Sequence, residues 1–321
     1  MTITSEQIKF YKPMYVNDSL TNGGRIGTTW MVDSALNNLF RNIQSDERAS
    51  GIDLYRKFFI KNDNPNDLAL INPRLYISNV SSGEDYFQIA VGTNTDNQNT
   101  ASGYSDWYGS GRLSQNIVSG ETSFSVECKQ ASGFPDDCLV MLTNGLTRVE
   151  LRSVGSPVWT DNIAAIAVDS PVDYDLDLYN TIVSAVAEFD DITPTVTDWV
   201  ESSAAGTYDE ETYPIILYNI GTIVESWTVL FNSETEFTVT GAVTGSLGNG
   251  SILANFIPEN TIGYYFNLRK EGWGGSFVSG DSISFKTTHS AQGFWAKESV
   301  PENAESQTNN LVSVKLIDES N

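Results

Sequence analysis

Apolar residues recur along most of this chain in short runs that are separated by polar turns. Such runs predict β-strands, and turn signals at intervals of about 8–12 residues are typical of sandwiches and small barrels. The many aromatic, Thr, Ser and Val residues favour strands as well. The predicted strands span residues 54–61, 68–78, 86–91, 123–128, 139–142, 147–154, 163–168, 181–189, 215–219, 222–231, 236–240, 264–268, 282–287 and 311–316.

The N-terminal segment has a different pattern. Residues 8–15 predict an extended arm that ends in a turn near Asn17 and Asp18. A helix is predicted from Trp30 to about residue 44, because apolar residues recur there every three or four positions. Its apolar stripe consists of Met31, Ala35, Leu36, Leu39, Phe40 and Ile43. The predicted fold is therefore mainly β, with an N-terminal arm and one amphipathic helix followed by two β-sandwich or barrel-like domains.

The length of 321 residues exceeds what one hydrophobic core usually organises, so more than one domain is expected. The small, polar and acidic stretch 202–211 marks a boundary between β units. We predict an arm and helix over 1–50 as a docking segment, a first β domain over 51–201, and a second, outward-facing β domain over 202–321.

The charge is distributed unevenly along the chain, which has 41 acidic and 18 basic residues and a net charge of −23. Residues 153–268 contain 17 of the acidic residues and no Lys or Arg, so nucleic-acid binding is not expected there. That stretch is either a solvated outer surface or a docking surface for a basic partner. Residues 1–61 hold eight of the basic residues and are expected to face partner subunits.

Motifs for catalysis are missing from the sequence. His289 is the only histidine, and neither a Gly-x-Ser-x-Gly elbow nor a Gly-x4-Gly-Lys loop occurs. Nothing singles out two of the 41 acidic residues as a glycosidase pair. The protein is therefore predicted not to be an enzyme and to have no cofactor. Trp107 and Tyr108, in the polar loop 92–109, are candidates for surface recognition of a glycan, or alternatively for packing at a subunit contact.

Two further features leave alternatives open. Cys128 and Cys138 could face each other across a hairpin, either as a disulfide or as the free thiols that a reducing cytoplasm favours. Asp173, Asp175 and Asp177 would share one face of a strand, either as a solvated face or as ligands of Ca²⁺. No apolar stretch of about 18 residues and no secretory signal pattern occurs, so cytoplasmic synthesis without a membrane partner is expected.

Several segments resemble those of structural proteins from the virions of tailed bacteriophages. They are YRKFFIKN at 55–62 with LINPRL at 70–75, GRL at 111–113 ahead of SGET at 119–122, GWGGSFVSGD at 272–281, and FWAKESVP at 294–301. The segment from Gly23 to Phe40 resembles the opening of such proteins as well. The resemblance implies a β-rich architectural subunit without catalytic residues. The neck, the tail, the baseplate and the capsid surface are all open as its location.

The expected function is that of an architectural subunit of a tailed-phage virion, made in the host cytoplasm. Its partners would be other virion proteins and symmetric copies of itself. The stripe expected to dock on a neighbouring subunit consists of Met31, Leu36, Leu39, Phe40 and Ile43; its alternative is to fold back on its own β domain. The alternative function is a glycan- or host-receptor-binding adhesin module, with Trp107 and Tyr108 as recognition residues.

Overall fold

The structure is a computed structural model that describes residues 2–33, 35, 37–145, 147–308 and 310–319. Its helical elements are short, namely α1 (Ser45–Ser50), α2 (Gln98–Ala101) and two 3-10 turns at Ser5–Gln7 and Lys270–Gly272. The strands are, in chain order, β1 (Ile8–Tyr15), β2 (Gly23–Trp30), β3 (Ile52–Asn62), β4 (Arg74–Asn79), β5 (Tyr86–Val91), β6 (Ser110–Leu113), β7 (Ser123–Glu127), β8 (Leu139–Asn144), β9 (Thr147–Arg152), β10 (Val158–Thr160), β11 (Ile163–Ala167), β12 (Ile182–Glu188), β13 (Thr195–Ser202), β14 (Gly206–Tyr208), β15 (Glu225–Phe231), β16 (Glu236–Gly241), β17 (Gly245–Ser251), β18 (Trp273–Gly275), β19 (Ser282–Thr288), β20 (Ala291–Val300) and β21 (Ser313–Ile317). The mainly β class predicted from the sequence is confirmed.

Sheet I has five antiparallel strands in the order β2-β1-β3-β20-β5. Its central strand β3 is buried on both faces over most of its length. On one face, Phe58 and Ile60 join an apolar core with Phe294 of β20. On the other face, the charged Lys57 is fully buried beside Phe59. A strand covered on both sides loses the polar–apolar alternation of a half-exposed one, which explains the continuous run FFI.

Sheet II contains nine strands, and seven of them follow the order β10-β11-β7-β6-β12-β4-β21. The strands β8 and β9 extend it, since β8 also pairs with β12. β12 is buried from Val183 to Ala187 and pairs with β4, β6 and β8. Side chains from these strands enclose a separate apolar core that includes Phe124, Val140 and Ile166.

Sheet III has the order β13-β19-β15-β16-β17 and covers a third core, rich in aromatic rings. Along β15 every second residue is buried, so Trp227, Val229 and Phe231 point inward, while the exposed residues of the strand are Ser226, Thr228 and Leu230. This is the period of two expected for a sheet with one solvated face. Thr195 in β13 pairs with Thr288 in β19, so residues 195–288 begin and end side by side. We call these residues the inserted unit.

The predicted amphipathic helix at 30–44 is not present: none of the described residues in that range is helical. Trp30 ends β2 opposite Tyr11, and the Met31 amide donates to the Phe10 carbonyl (2.6 Å). Asn37 has a positive φ of 53°, which a right-handed helix does not allow. Pairing of β2 with β1 therefore overrides the three- and four-residue periodicity, and the nearby helix α1 begins only at Ser45.

Strand pairing cuts across the predicted boundaries at residues 50 and 201. β1 pairs with β3 inside sheet I, so the N-terminal arm is a strand of that sheet. β20 lies between β3 and β5, and β21 pairs with β4. The chain thus returns from the inserted unit to sheets I and II after residue 288. The strands predicted at 215–219 and 264–268 form only isolated bridges, which join Ile216 to Asn267, Leu268 to Phe256 and Tyr264 to Glu259.

Candidate assembly surface

The strands β1 and β2 form an N-terminal hairpin (residues 8–30) at the edge of sheet I. Only its base is part of the continuous sheet, since Ile8 to Tyr11 pair with β3 and the following residues of β1 pair with β2 alone. The tip is held by polar contacts: Asn22 donates to the Tyr55 carbonyl (2.8 Å). Asp18 forms ion pairs with Arg56 and with Arg41. The hairpin is therefore fixed in place on the body of the protein.

Large apolar side chains of the hairpin and its flank face solvent. Their exposed fractions lie between 49% and 63%, and they belong to Met14, Tyr15, Val16, Leu20, Trp30 and Val32. Single exposed apolar residues are ordinary, but six within 19 positions of one edge hairpin mark an interaction surface. Burying the exposed 56% of Trp30, roughly 140 Å², is worth on the order of 3 kcal/mol at ~25 cal/mol per Å².

The hairpin is a cationic part of a strongly acidic protein. Residues 8–30 contain Lys9, Lys12 and Arg25, and their only acidic residue is Asp18. Lys9 pairs with Asp63 (3.3 Å) and lies 5.5 Å from the centre of the Trp30 ring. Within the described part of the chain, Lys12 and Arg25 form no ion pair, and Arg25 is exposed. Their charges are available to a partner.

A buried ion pair between Lys57 and Asp96 lies under the hairpin. The Lys57 ammonium also donates to the Gly24 carbonyl (2.7 Å), while Asp96 accepts hydrogen bonds from Trp295 Nε1 (2.7 Å) and from the Tyr104 hydroxyl. Burial lowers the pKa of Lys57 against the attraction of Asp96. Burial also opposes the charge on Asp96, but the donors around this carboxylate outweigh it and lower its pKa. The network joins β2, β3, β20 and the loop after β5.

Gly23 lets the hairpin approach this network. Its φ is 106°, and a Cβ atom there would lie 2.7 Å from the Trp295 ring. The adjacent Gly24 amide donates to the Asp96 carbonyl (2.8 Å). Only glycine tolerates both this backbone conformation and this contact. The Gly-Gly pair seen in the sequence therefore anchors the hairpin to the aromatic and ionic network.

The predicted docking stripe lies beside the hairpin, without a helix. Met31, Leu39 and Phe40 are half-buried against the core of sheet I, and the Phe40 ring meets Phe87 edge to face at 5.5 Å. Ile43 is half-buried as well. Leu36 lies outside the described residues. The docking role of the stripe stays a prediction. The exposed hairpin residues next to it were not predicted, although the apolar letters around Pro13 and at Trp30 could have indicated them.

Trp107 and Tyr108 lie together but in different surroundings. The Trp107 ring packs edge-on against Tyr55 (5.9 Å), under the ammonium of Lys297 (5.2 Å). Tyr108 pairs through its backbone with Ile89, and burial raises the pKa of its hydroxyl to about 12. Tyr108 lines a cleft of about 530 Å³ whose other residues include Phe134, Asp106, Asp136, Asp137, Arg152 and Glu188. Both rings are half-exposed, so their recognition role stays a prediction.

The two cysteines are free and buried in sheet II. Cys128 follows β7 and Cys138 precedes β8, and these strands pair with other neighbours instead of forming a hairpin. Burial raises the pKa of the Cys128 thiol to about 12 and raises that of Cys138. Both are therefore protonated and poorly nucleophilic.

His289 is buried at the junction between the inserted unit and sheet I, edge to face with Phe59 at 6.3 Å. Burial lowers its pKa to about 4, so the imidazole is neutral at pH 7. Its Nδ1 atom has no hydrogen-bond partner within the described structure.

Residues 173–177 form a loop instead of the predicted strand. Asp175 accepts a hydrogen bond from the Ser119 amide (2.8 Å), and Asp177 accepts from the amides of Tyr179 (3.1 Å) and Asn180 (2.9 Å). These carboxylates satisfy backbone donors of the turn. Over the described ranges, no group of three or more His, Cys, Asp or Glu side chains is arranged to hold a metal ion. No helix within the same ranges is long and apolar enough to span a membrane.

No protein-family model matches the chain, and no curated protein matches it. Among solved structures, the chain has 9% identity and a TM-score of 0.17 with the VP16-VP17 complex of the two major capsid proteins of bacteriophage P23-77, covering 83% of this chain and 93% of that one. With VP17, a capsid protein of the same phage, the identity is 9%, the TM-score 0.16 and the coverage 78% and 87%. TM-scores this low do not indicate a common fold.

Proposed function

We propose that this protein is an architectural subunit of a tailed-phage virion that assembles through protein–protein contacts as several symmetric copies. The observation that carries the proposal is the hairpin 8–30, with its exposed apolar side chains and two cations outside any ion pair, held in place by a buried network. A surface of this kind exposes apolar area that only a partner can cover. The protein works in this role without catalysis and without a cofactor.

The segments that resemble phage structural proteins support the proposal by their positions. YRKFFIKN forms most of β3 and FWAKESVP most of β20, and these strands pair in register, with Phe58 opposite Phe294. In the segment from Gly23 to Phe40, Gly23 packs against Trp295 of the same sheet. Three segments far apart in the sequence therefore build the base of the exposed hairpin.

The described residues of the docking stripe, Met31, Leu39, Phe40 and Ile43, border the hairpin. The stripe, which by prediction includes Leu36, extends the proposed surface. Other virion proteins and copies of this chain are the proposed partners, with the inserted unit facing outward in the particle. Neck, tail, baseplate and capsid surface are compatible locations.

The test replaces Trp30 by Ser in the gene of a phage that encodes the protein. The side chain is 56% exposed, so the variant should keep its melting temperature, while its copy number in purified particles should fall strongly. Val278→Ser is a matched control, because Val278 is 59% exposed on the inserted unit. Particles that contain the Trp30 variant at the wild-type copy number would contradict the proposal.

The second candidate is a glycan- or receptor-binding module. It is favoured by the cleft at Tyr108, where aromatic rings and Arg152 stand next to three aspartates, since sugars bind to rings flanked by polar groups. The test is a glycan array with the wild type and with Asp106→Ala, whose side chain is exposed. Binding that this variant loses would support the adhesin role, and an array without binding would reject it.

A further inference from the structure

The hairpin tip and the inserted unit lie at opposite ends of β3. At the beginning of the strand, Asn22 of the tip donates to the Tyr55 carbonyl (2.8 Å). At its end, the Asn62 amide donates to the Ser290 carbonyl (2.9 Å), two residues beyond the inserted unit. Seven residues of strand separate the two ends, roughly 23 Å. The hairpin tip is therefore directed away from the inserted unit of its own copy.

The charge of the hairpin is complementary to the rest of the protein. Residues 8–30 carry three cations and one acid, whereas the whole chain has a net charge of −23. The inserted unit, residues 195–288, contains 11 acidic and three basic residues. Like charge opposes association of two copies over most of their surface, and the hairpin is the place where that repulsion becomes attraction.

A loop of the inserted unit offers a matching surface. Residues 257–264 expose Ile257 (40%), Ile262 (62%) and Tyr264 (42%), and Glu259 is their only charged residue. The Asn260 amide donates to the Gly263 carbonyl (2.8 Å) and closes the loop. Asn260 also donates through its side chain to the Gly221 carbonyl (2.7 Å), which fixes the loop on the inserted unit.

The loop belongs to the end of the molecule opposite the hairpin tip. Its Tyr264 ring lies 5.5 Å from the Tyr218 ring. Asn219, which follows Tyr218, donates through its backbone amide to Asp67 (2.8 Å) and through its side chain to the Leu68 carbonyl (2.9 Å). Both acceptors lie shortly after the end of β3. The apolar, acidic loop and the hairpin tip therefore lie toward opposite ends of β3, while Trp30 lies at the base of the hairpin, opposite Tyr11.

We infer that the hairpin 8–30 of one copy binds the loop 257–264 of a second copy, head to tail. The inference rests on the proposed function, because it names the partner of the same hairpin. Arg25 and Lys12 would lie against Glu259, while Trp30 and Met14 would cover Ile262 and Tyr264. A head-to-tail contact uses two different surfaces, so it closes into a ring or continues as a filament.

The experiment compares full-length Arg25→Glu and Glu259→Arg in solution by light scattering over a concentration series. Each reversal should weaken self-association about tenfold, because it places like charges in the contact. Mixing the two variants should restore association, since each supplies the surface that the other lacks. The double variant Arg25→Glu/Glu259→Arg should associate like the wild type. Lys315→Glu, at an exposed cation of β21, is the matched control and should associate normally.

Failure of the mixture or of the double variant to associate would overturn the head-to-tail contact, as would single variants that associate normally or a wild type that stays monomeric. Thermal melting of every variant separates loss of contact from loss of fold. Mass spectrometry of purified particles tests the proposed function separately. A protein present in particles that fails the mixing test keeps its architectural role but uses a different contact.

Discussion

Glu298 provides the sharpest test of the packing of sheet I. It lies on β20 between Leu54 of β3 and Phe87 of β5 and is only 6% exposed. The Asp85 carboxyl group lies nearby and accepts hydrogen bonds from the Asn310 side-chain amide (2.9 and 2.8 Å), whereas Glu298 Oε2 has no hydrogen-bond partner among the described residues. Burial, followed by the charge of Asp85, raises the pKa of Glu298 from 4.5 to about 8. At pH 7 the Glu298 carboxyl group is therefore mostly protonated and neutral.

The raised pKa makes stability depend on pH. Because folded Glu298 binds its proton more tightly than the unfolded chain does, the contribution of this residue to stability is fully present below pH 4.5 and is lost as the pH rises to about 8. At 1.36 kcal/mol for each pKa unit, the full loss is on the order of 5 kcal/mol. Glu298→Gln keeps the shape and a hydrogen-bond donor toward Asp85 but cannot ionise. The variant should match the wild type near pH 5 and exceed it by several kcal/mol at pH 9.

The assay is urea unfolding followed by tryptophan fluorescence from pH 5 to pH 9. The difference in unfolding free energy between variant and wild type isolates residue 298 from other titrating groups. Glu302→Gln, at an exposed carboxylate just beyond β20, serves as the control and should leave the profile unchanged. Parallel profiles for Glu298→Gln and the wild type would refute the raised pKa of Glu298.

Three further outcomes are expected. The pKa of His289 is lowered to about 4, so stability is lost as the pH falls from 6.5 to 4, and His289→Gln should flatten that limb in acid unfolding curves. Asp96→Asn leaves Lys57 buried without its counter-ion and should lower the free energy of unfolding in urea by about 3–5 kcal/mol. A change close to zero would contradict the burial of this ion pair. Cys128 and Cys138 should resist iodoacetamide in the native protein and react fully in denaturant, which mass spectrometry measures; fast native labelling would contradict their burial.

The local sequence pattern was sufficient to predict strands that have one buried and one exposed face. β15 alternates between buried and exposed residues, and a period of two indicates such a half-buried strand directly. β5, a short, mostly apolar run that is buried at four of its six positions, was predicted with its observed bounds. β20 was missed although it is one of the longest strands, since AQGFWAKESV has no clean alternation. Its partners β3 and β5 lie about 200 residues earlier in the chain, and no local signal encodes that pairing.

The assembly surface shows the same division between local and distant information. The sequence indicated an N-terminal segment that docks, and it singled out Met31 and Phe40 by helical spacing. In the structure the backbone of Met31 bonds to Phe10 of β1, so these side chains turn toward the core while Trp30 faces solvent. Which apolar residue is covered depends on the hairpin register, in which Gly23 lies opposite Tyr15 and against the Trp295 ring.

The hairpin cannot be treated as an appendage of a finished β body. Phe10 stacks on Phe58 with ring centres 6.0 Å apart, and the Gly24 carbonyl accepts from the buried Lys57 ammonium. Removing the hairpin would uncover one edge of β3 and leave that ammonium with fewer acceptors, at the cost of a buried polar group. The buried inner side of the hairpin thus stabilises the fold, while its exposed outer side is the proposed assembly surface. Assembly is best probed at Trp30 and Arg25, where a substitution leaves the inner contacts intact.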